Sequence, residues 1–291
     1  MRNHVDALRR LEKYLGGPLR PGDGGSATNP PQAKPSTAAA TVSRRSGTTR
    51  RATLEEAVPG YAVRVQERGT AYKIMTPVHD GKAGDALRMA FTAAFSSPGT
   101  PAQQRIEARC RTTVTPDDLL FFDLETTGLS QTPLFLIGTL TWENENLIAR
   151  QFLARDYREE AAVIQLFLEL AATKRLLISF NGKSYDLPFV QQRAEMHDIP
   201  SALHVYHFDL LHESRRVWHA DVPNCQLQTL EQHICGHTPR SEDIPSEKIP
   251  AVYKTFIRNG NALQLAQIIR HNFLDLTTMV ELLAKLPPLE S

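Results

Sequence analysis

Apolar residues recur along this chain in two rhythms. Short unbroken runs bounded by turn residues mark buried strands: Leu119–Leu124, Leu134–Trp142, Leu147–Leu153, Leu176–Phe180 and Leu203–Phe208. Spacings of three and four mark helices. The first is Glu159–Ala172, with Val163, Phe167 and Leu170 on one face; Tyr185–Met196 follows, and then helices near 227–234, 248–258 and 261–285. Asp209 stands where its side-chain oxygen caps the helix after the fifth strand. Three strands followed by alternating helix and strand predict an α/β fold, a mixed five-stranded sheet flanked by helices, over residues 116–286.

Upstream the rhythm weakens. Residues 53–115 read as a small α+β lead-in, with strands Tyr61–Val65 and Ala71–Met75 around the turn Glu67–Thr70 and a helix at Asp85–Phe95. Residues 1–15 read as a short amphipathic helix through Val5, Leu8, Leu11 and Leu15. Residues 16–52 are rich in Gly, Pro, Ser, Thr and Ala, with no aromatic residue and only Leu19 and Val42 as larger apolar groups. Such a stretch buries too little surface to offset ordering entropy of about 1–2 kcal/mol per residue, so a disordered basic linker is expected.

Composition narrows the class. The 291 residues are 41% hydrophobic and 22% charged, which excludes collagen-like, wholly disordered and membrane-spanning chains. The formal charge of +1 hides an asymmetry: residues 1–51 hold ten Lys or Arg against Asp6, Glu12 and Asp23, a net of +7, leaving −6 for the rest. Arg9, Arg10 and Lys13 interrupt any signal core, and three scattered cysteines make no disulfide framework. A cytoplasmic location, with no membrane contact, is the expectation.

Three short segments carry candidate chemistry. The strand Leu119–Leu124 runs into Asp123 and Glu125, which lie on one face of the pleat about 7 Å apart. Carboxylates that close repel unless cations sit between them, and hard divalent ions such as Mg²⁺ take oxygen ligands of this kind. Thr126-Thr127-Gly128 then turns the chain and leaves backbone N–H groups free for a ligand. The fourth strand ends in Asn181-Gly182-Lys183-Ser184-Tyr185-Asp186, delivering Asp186 to a helix start, where it serves either as a ligand or only as a partner of the helix dipole. His271 and Asp275, four apart, share a helix face, either at a site or as a surface pair.

Taken together, in this order and with these flanks, the segments resemble the three exonuclease motifs of the DEDD superfamily, whose fold is ribonuclease-H-like. The likeness covers about residues 116–286. It is greatest to the bacterial YprB-type branch, through Phe122–Leu129, Phe180–Asp186 and Asp243-Ile244-Pro245. One departure stands out. The histidine-type subfamily places its histidine five residues before the last aspartate, whereas His271 is four before Asp275, the spacing at which the tyrosine-type subfamily carries tyrosine. Asn181 to Asp186 is five apart, also a tyrosine-type layout.

The resemblance implies phosphodiester hydrolysis by two ions, Mg²⁺ or Mn²⁺, held by Asp123, Glu125, Asp186 and Asp275. His271 would be the general base. Thr126, Thr127, Gly128, Leu129 and Asn181 would hold the terminal nucleotide, and attack on DNA or RNA would run from the 3′ end. Three alternatives stay open: a non-catalytic nucleic-acid-binding module, a structure-selective endonuclease, and a scaffold whose basic tail recruits a partner. Seven of ten histidines fall between 197 and 237, including His233-Ile234-Cys235-Gly236-His237, but at spacings poor for zinc. Arg215, Arg216, Trp218, Lys254, Arg258 and Arg270 are candidates for a strand-binding groove or for solvated helix faces with Trp218 in the core.

Overall fold

The apolar runs pair into a single mixed sheet. A computed structural model describes residues 51–78, 81–128, 132–240 and 243–289. The amphipathic segment 1–15, nearly all of the basic segment 16–52 and Leu129 therefore lie outside the described residues. The strands are β1 (Tyr61–Val65), β2 (Gly69–Pro77), β3 (Leu119–Thr126), β4 (Leu134–Glu143), β5 (Asn146–Leu153), β6 (Leu176–Ser179) and β7 (Tyr206–Asp209). The helices are α1 (Leu54–Ala57), α2 (Gly81–Ala94), α3 (Pro101–Cys110), α4 (Glu160–Ala172), α5 (Asp186–Met196), α6 (Leu210–Val217), α7 (Leu227–His233), α8 (Ile249–Asn259) and α9 (Leu263–Ala284).

The sheet order is β1-β2-β5-β4-β3-β6-β7, so the expected five strands become seven. The two extra strands come from the lead-in: β2 pairs antiparallel with β5, matching Tyr72 to Leu153, and β1 hairpins onto β2. Pairing covers the β5 edge, whose open N–H and C=O groups would otherwise face solvent. The fifth expected strand is shorter than its apolar run, beginning at Tyr206. Helix α3 carries few apolar residues and gave no periodic signal, yet Pro101 sits in its first turn and Arg105 is buried against α6.

Alternation along β3 sorts its side chains between two cores. Leu120, Phe122 and Leu124 face α4, α5 and α8, while Leu119 and Phe121 face α2, α3 and α6. Asp123 and Glu125 continue the second row. Helix α9 serves both cores: Leu265, Ile268 and Ile269 belong to the first, and Leu276, Met279, Val280 and Leu283 to the second. His271, Asn272 and Asp275 stand at the change-over. Among the described residues, no helix is long and apolar enough to cross a membrane.

The carboxyl ends of β3, β6 and β7 lie at one edge, because β6 runs parallel to β3 and β7 parallel to β6. The chain leaves β3 toward β4 and β5 on one side and returns through α4 to place β6 and β7 on the other. In open α/β sheets such a switch in strand order opens a crevice at the strand ends. The crevice wall is pinned by Glu160, 2% exposed, whose carboxylate accepts from Leu134 N–H at 2.8 Å, Arg193 Nε at 2.7 Å and Arg193 Nη2 at 2.6 Å. Replacing Glu160 by Ala strands the buried Arg193 charge and an N–H of β4. A loss of about 3–5 kcal/mol is expected in urea unfolding; a loss below 1 kcal/mol would show that the pair is not a tie between α4, α5 and β4.

Candidate active site

Each predicted carboxylate reaches the crevice from a different element. Asp123 and Glu125 come from the end of β3, Asp186 from the first turn of α5, and Asp275 from α9. Glu125 and Asp186 are buried, and Asp123 is half-buried.

The charges of Asp186 and Asp275 act on both Asp123 and Glu125. Burial, then the charges of Asp275, Glu125 and Asp186, raise the Asp123 carboxyl well above its usual range. Burial first, and then Asp275, Asp186 and Asp243, push Glu125 up to about 8, although His271 pulls the other way. Burial and the neighbouring Asp209 push Asp186 up to about 7. Like charges that cannot all ionise together constitute an electrostatic demand for cations.

Asp123 is held by residues that its own motif does not contain. It pairs across the sheet with Gly138, which in turn pairs with Gln151, so three residues stand in register on β3, β4 and β5. Asn272 of α9, fully buried, lies over the glycine and donates through Nδ2 to Asp123 Oδ2 at 2.8 Å. Its Oδ1 accepts from Gln151 Nε2 at 2.7 Å, and the same amide donates to the Ile269 carbonyl at 2.7 Å. A Cβ on Gly138 would sit 1.9 Å from Asn272 Oδ1, so only glycine admits this contact. A lone glycine inside the apolar run Leu134–Trp142 was the available signal.

The second motif is shaped by its backbone. Asn181 adopts φ 66°, a left-handed conformation that asparagine tolerates better than most residues. Asp209 accepts from the N–H groups of Asn181 at 2.9 Å and Lys183 at 3.0 Å while capping α6 through Leu211 N–H at 3.0 Å. A Cβ on Gly182 would meet Ser179 Oγ at 2.5 Å and Asp186 Oδ2 at 2.7 Å, so this glycine lets the loop close beside Asp186. The Asn181 side chain is exposed at the loop tip.

At α9 the His271 ring is gripped at both nitrogens. Nδ1 lies 2.7 Å from Asp243 Oδ1 and Nε2 lies 3.3 Å from Asp275 Oδ2. Burial alone would lower its pKa, but the Asp243 hydrogen bond and the charges of Asp275 and Glu125 raise it to about 9. Arg240 Nη1 takes the other oxygen of Asp275 at 2.7 Å. Both oxygens of Asp275 are therefore engaged. Among the described residues, no three His, Cys, Asp or Glu converge as a ready metal cage. The carboxylates nonetheless supply the hard oxygen donors and uncompensated charge that divalent cations take.

At the end of β3, Thr126 Oγ1 donates to the Gly128 carbonyl at 2.7 Å and Thr127 Oγ1 to that of Pro133 at 3.0 Å. Three of the other candidates find their partners elsewhere. Trp218 is buried in the second core, and Arg216 pairs with Glu213. His237 bonds Glu281 at 2.8 Å, apart from the crevice residues.

The glycine contact yields a direct test. Gly138→Ala should displace Asn272, free Asp123 and destabilise the fold by about 1–3 kcal/mol through overpacking. Adding Asn272→Gly to that variant should recover most of the stability in chemical denaturation. Additive losses would contradict the contact.

A family model described as the RNase_H superfamily matches residues 120–287, more than half of the chain. Over 172 residues the chain is 33% identical to the uncharacterized protein YprB of Bacillus subtilis (strain 168), covering 57% of this chain and 41% of that one. The chain thus spans about two fifths of that relative's length. Among solved structures, a family B DNA polymerase from the hyperthermophilic archaeon Pyrobaculum calidifontis is similar at 16% identity and TM-score 0.47, over 59% of this chain and 24% of the polymerase. E. coli ExoI in a zinc-bound complex with ssDNA is similar at 14% identity and TM-score 0.35, over 54% of this chain and 44% of that one. At those scores neither structure adds to the assignment, which rests on the family match: through residues 120–287 the chain belongs to the RNase_H superfamily.

Proposed function

We propose that the protein is a divalent-metal-dependent nuclease that trims single-stranded DNA or RNA from its 3′ end, releasing nucleoside 5′-monophosphates. One observation carries the reading. On top of burial, the charges of Asp275, Glu125 and Asp186 raise the proton affinity of Asp123, and those of Asp275 and Asp186 raise that of Glu125, the electrostatic state that bound cations relieve. In this reading the four carboxylates hold two ions, Mg²⁺ or Mn²⁺.

Ions so held would supply an activated water and stabilise the leaving oxygen. The remaining work falls to the chain. Asn272 and Gln151 fix the carboxylate of Asp123 before substrate arrives, so no reorganisation is needed later. Thr126, Thr127 and Gly128 follow it in the chain, and Asn181 offers an exposed amide to the terminal nucleotide. His271 takes the proton of the attacking water. Its high proton affinity comes from the Asp243 hydrogen bond and the charges of Asp275, Glu125 and Asp243, and neutralising those charges would lower it, which favours the base role.

Asp123→Asn should abolish hydrolysis of end-labelled single strands in Mg²⁺ or Mn²⁺, with far-UV circular dichroism unchanged; full activity in that variant would refute the reading. A 3′-phosphate block should stop the parent enzyme, whereas internal cutting of the blocked strand would assign an endonuclease.

Stability should also depend on pH and cation. The raised carboxyls of Glu125 and Asp186 and the raised imidazole of His271 bind protons more tightly folded than unfolded. Their stabilisation is complete at low pH and lost as pH rises through about 7 to 9. The melting temperature of chelator-treated protein should fall between pH 6 and pH 9, and Mg²⁺ should raise it more at pH 9 than at pH 6. A Mg²⁺ effect independent of pH would contradict the carboxylate assignment.

A further inference from the structure

The loop between α7 and α8 reaches into the crevice and closes a ring of alternating charges. Asp243 gives Oδ1 to His271 Nδ1 at 2.7 Å and faces Arg240 Nη1 with Oδ2 at 3.6 Å. Asp275 gives Oδ1 to Arg240 Nη1 at 2.7 Å and faces His271 Nε2 with Oδ2 at 3.3 Å. Each carboxylate spends one oxygen on each cation, so neither can rotate without breaking a contact. Behind the ring, Arg240 Nε donates to Glu231 Oε2 of α7 at 2.7 Å, and both side chains are under 10% exposed. The guanidinium is therefore anchored from outside the site by a partner that belongs to no exonuclease-like motif.

We propose that Arg240 is a positioning residue for the cation site: seated on Glu231, it sets the carboxylate of Asp275 and, through Asp243, the imidazole of His271. The inference rests on the metal-dependent reading above. Two features favour positioning over simple obstruction of the cation. The guanidinium carries its own buried counter-charge, so Arg240 and Glu231 together add no net charge to the site. A planar fork held at one end offers a fixed direction to the carboxylate at the other, and carboxylate ligands held by such outer partners bind metal more tightly.

Because Arg240 and Glu231 cancel, they can be removed together without altering the net charge near the carboxylates. In contrast, Arg240→Gln alone would leave Glu231 buried and unpaired, and its failure to fold would be uninformative. The test is Mn²⁺ binding to full-length Glu231→Gln/Arg240→Gln, followed by electron paramagnetic resonance, with circular dichroism to confirm the fold. The dissociation constant should rise about 10- to 100-fold over the parent. An unchanged or lower constant in the folded variant overturns the proposal. If the parent itself binds no Mn²⁺, the metal reading fails and this inference falls with it; a parent that binds Mn²⁺ beside a variant of equal affinity refutes the positioning role alone. A folded Arg240→Lys variant supplies a second measure. It keeps the charge but not the fork, so its constant should also exceed that of the parent; parent-like binding would mean that charge without geometry suffices.

Discussion

Several acidic side chains packed at one end of a sheet repel one another, and much of the surrounding structure manages that repulsion. Burial strengthens it, because the low dielectric that stabilises the apolar cores also magnifies charge. The molecule responds in three ways. It lets Glu125 and Asp186 hold protons more tightly than usual, it brings His271 and Arg240 alongside Asp275, and it donates the Asn272 amide to Asp123. Each device moderates the charge without removing the oxygen donors. The result is a fold that tolerates its acidic cluster and still presents it at the crevice.

Helix α9 bears most of this arrangement. Its two halves are locked into opposite cores by Leu265, Ile268 and Ile269 on one side and by Leu276, Met279 and Leu283 on the other. Neither half can slide without exposing apolar surface, at about 25 cal/mol per Å². The change-over between them is where the helix meets β3, β4 and β5 through Asn272. Packing along the whole helix thus fixes the angle and height at which Asp275 enters the cluster. Truncated contacts at a distance would be felt there, since a close-packed interior transmits small displacements.

Local pattern explains why some of this was legible in the sequence. Alternation in Leu119–Glu125 placed both acids on one face, and the spacing of three and four located α4, α5 and α9. Joining three distant segments into one site needed their order and flanks rather than any one motif. What stayed hidden depends on long-range register. Nothing near Gly138 or Gln151 in the chain says that they will stand beside Asp123, since that follows from how β3, β4 and β5 pair. The attachment of β1 and β2 was invisible for the same reason, because strand pairing is chosen by tertiary context. Arg240 lies in a loop with no periodicity, and its role appears only once α7 and α9 are brought together.

The four-residue spacing of His271 and Asp275 also finds a physical explanation. On a helix, residues four apart stack closely enough to touch, so the imidazole falls against the carboxylate of its own motif, with Nε2 at 3.3 Å from Asp275 Oδ2. Left alone, that pair would close on itself and draw both groups away from a ligand. Asp243 opposes this by holding the far nitrogen, and Arg240 opposes it by holding the far oxygen. The ring therefore splits each group's loyalties between two partners and keeps both at a fixed distance. A spacing of five would turn histidine and aspartate onto different faces and make such bracing unnecessary. The shortened spacing and the loop that carries Arg240 and Asp243 are thus parts of one solution.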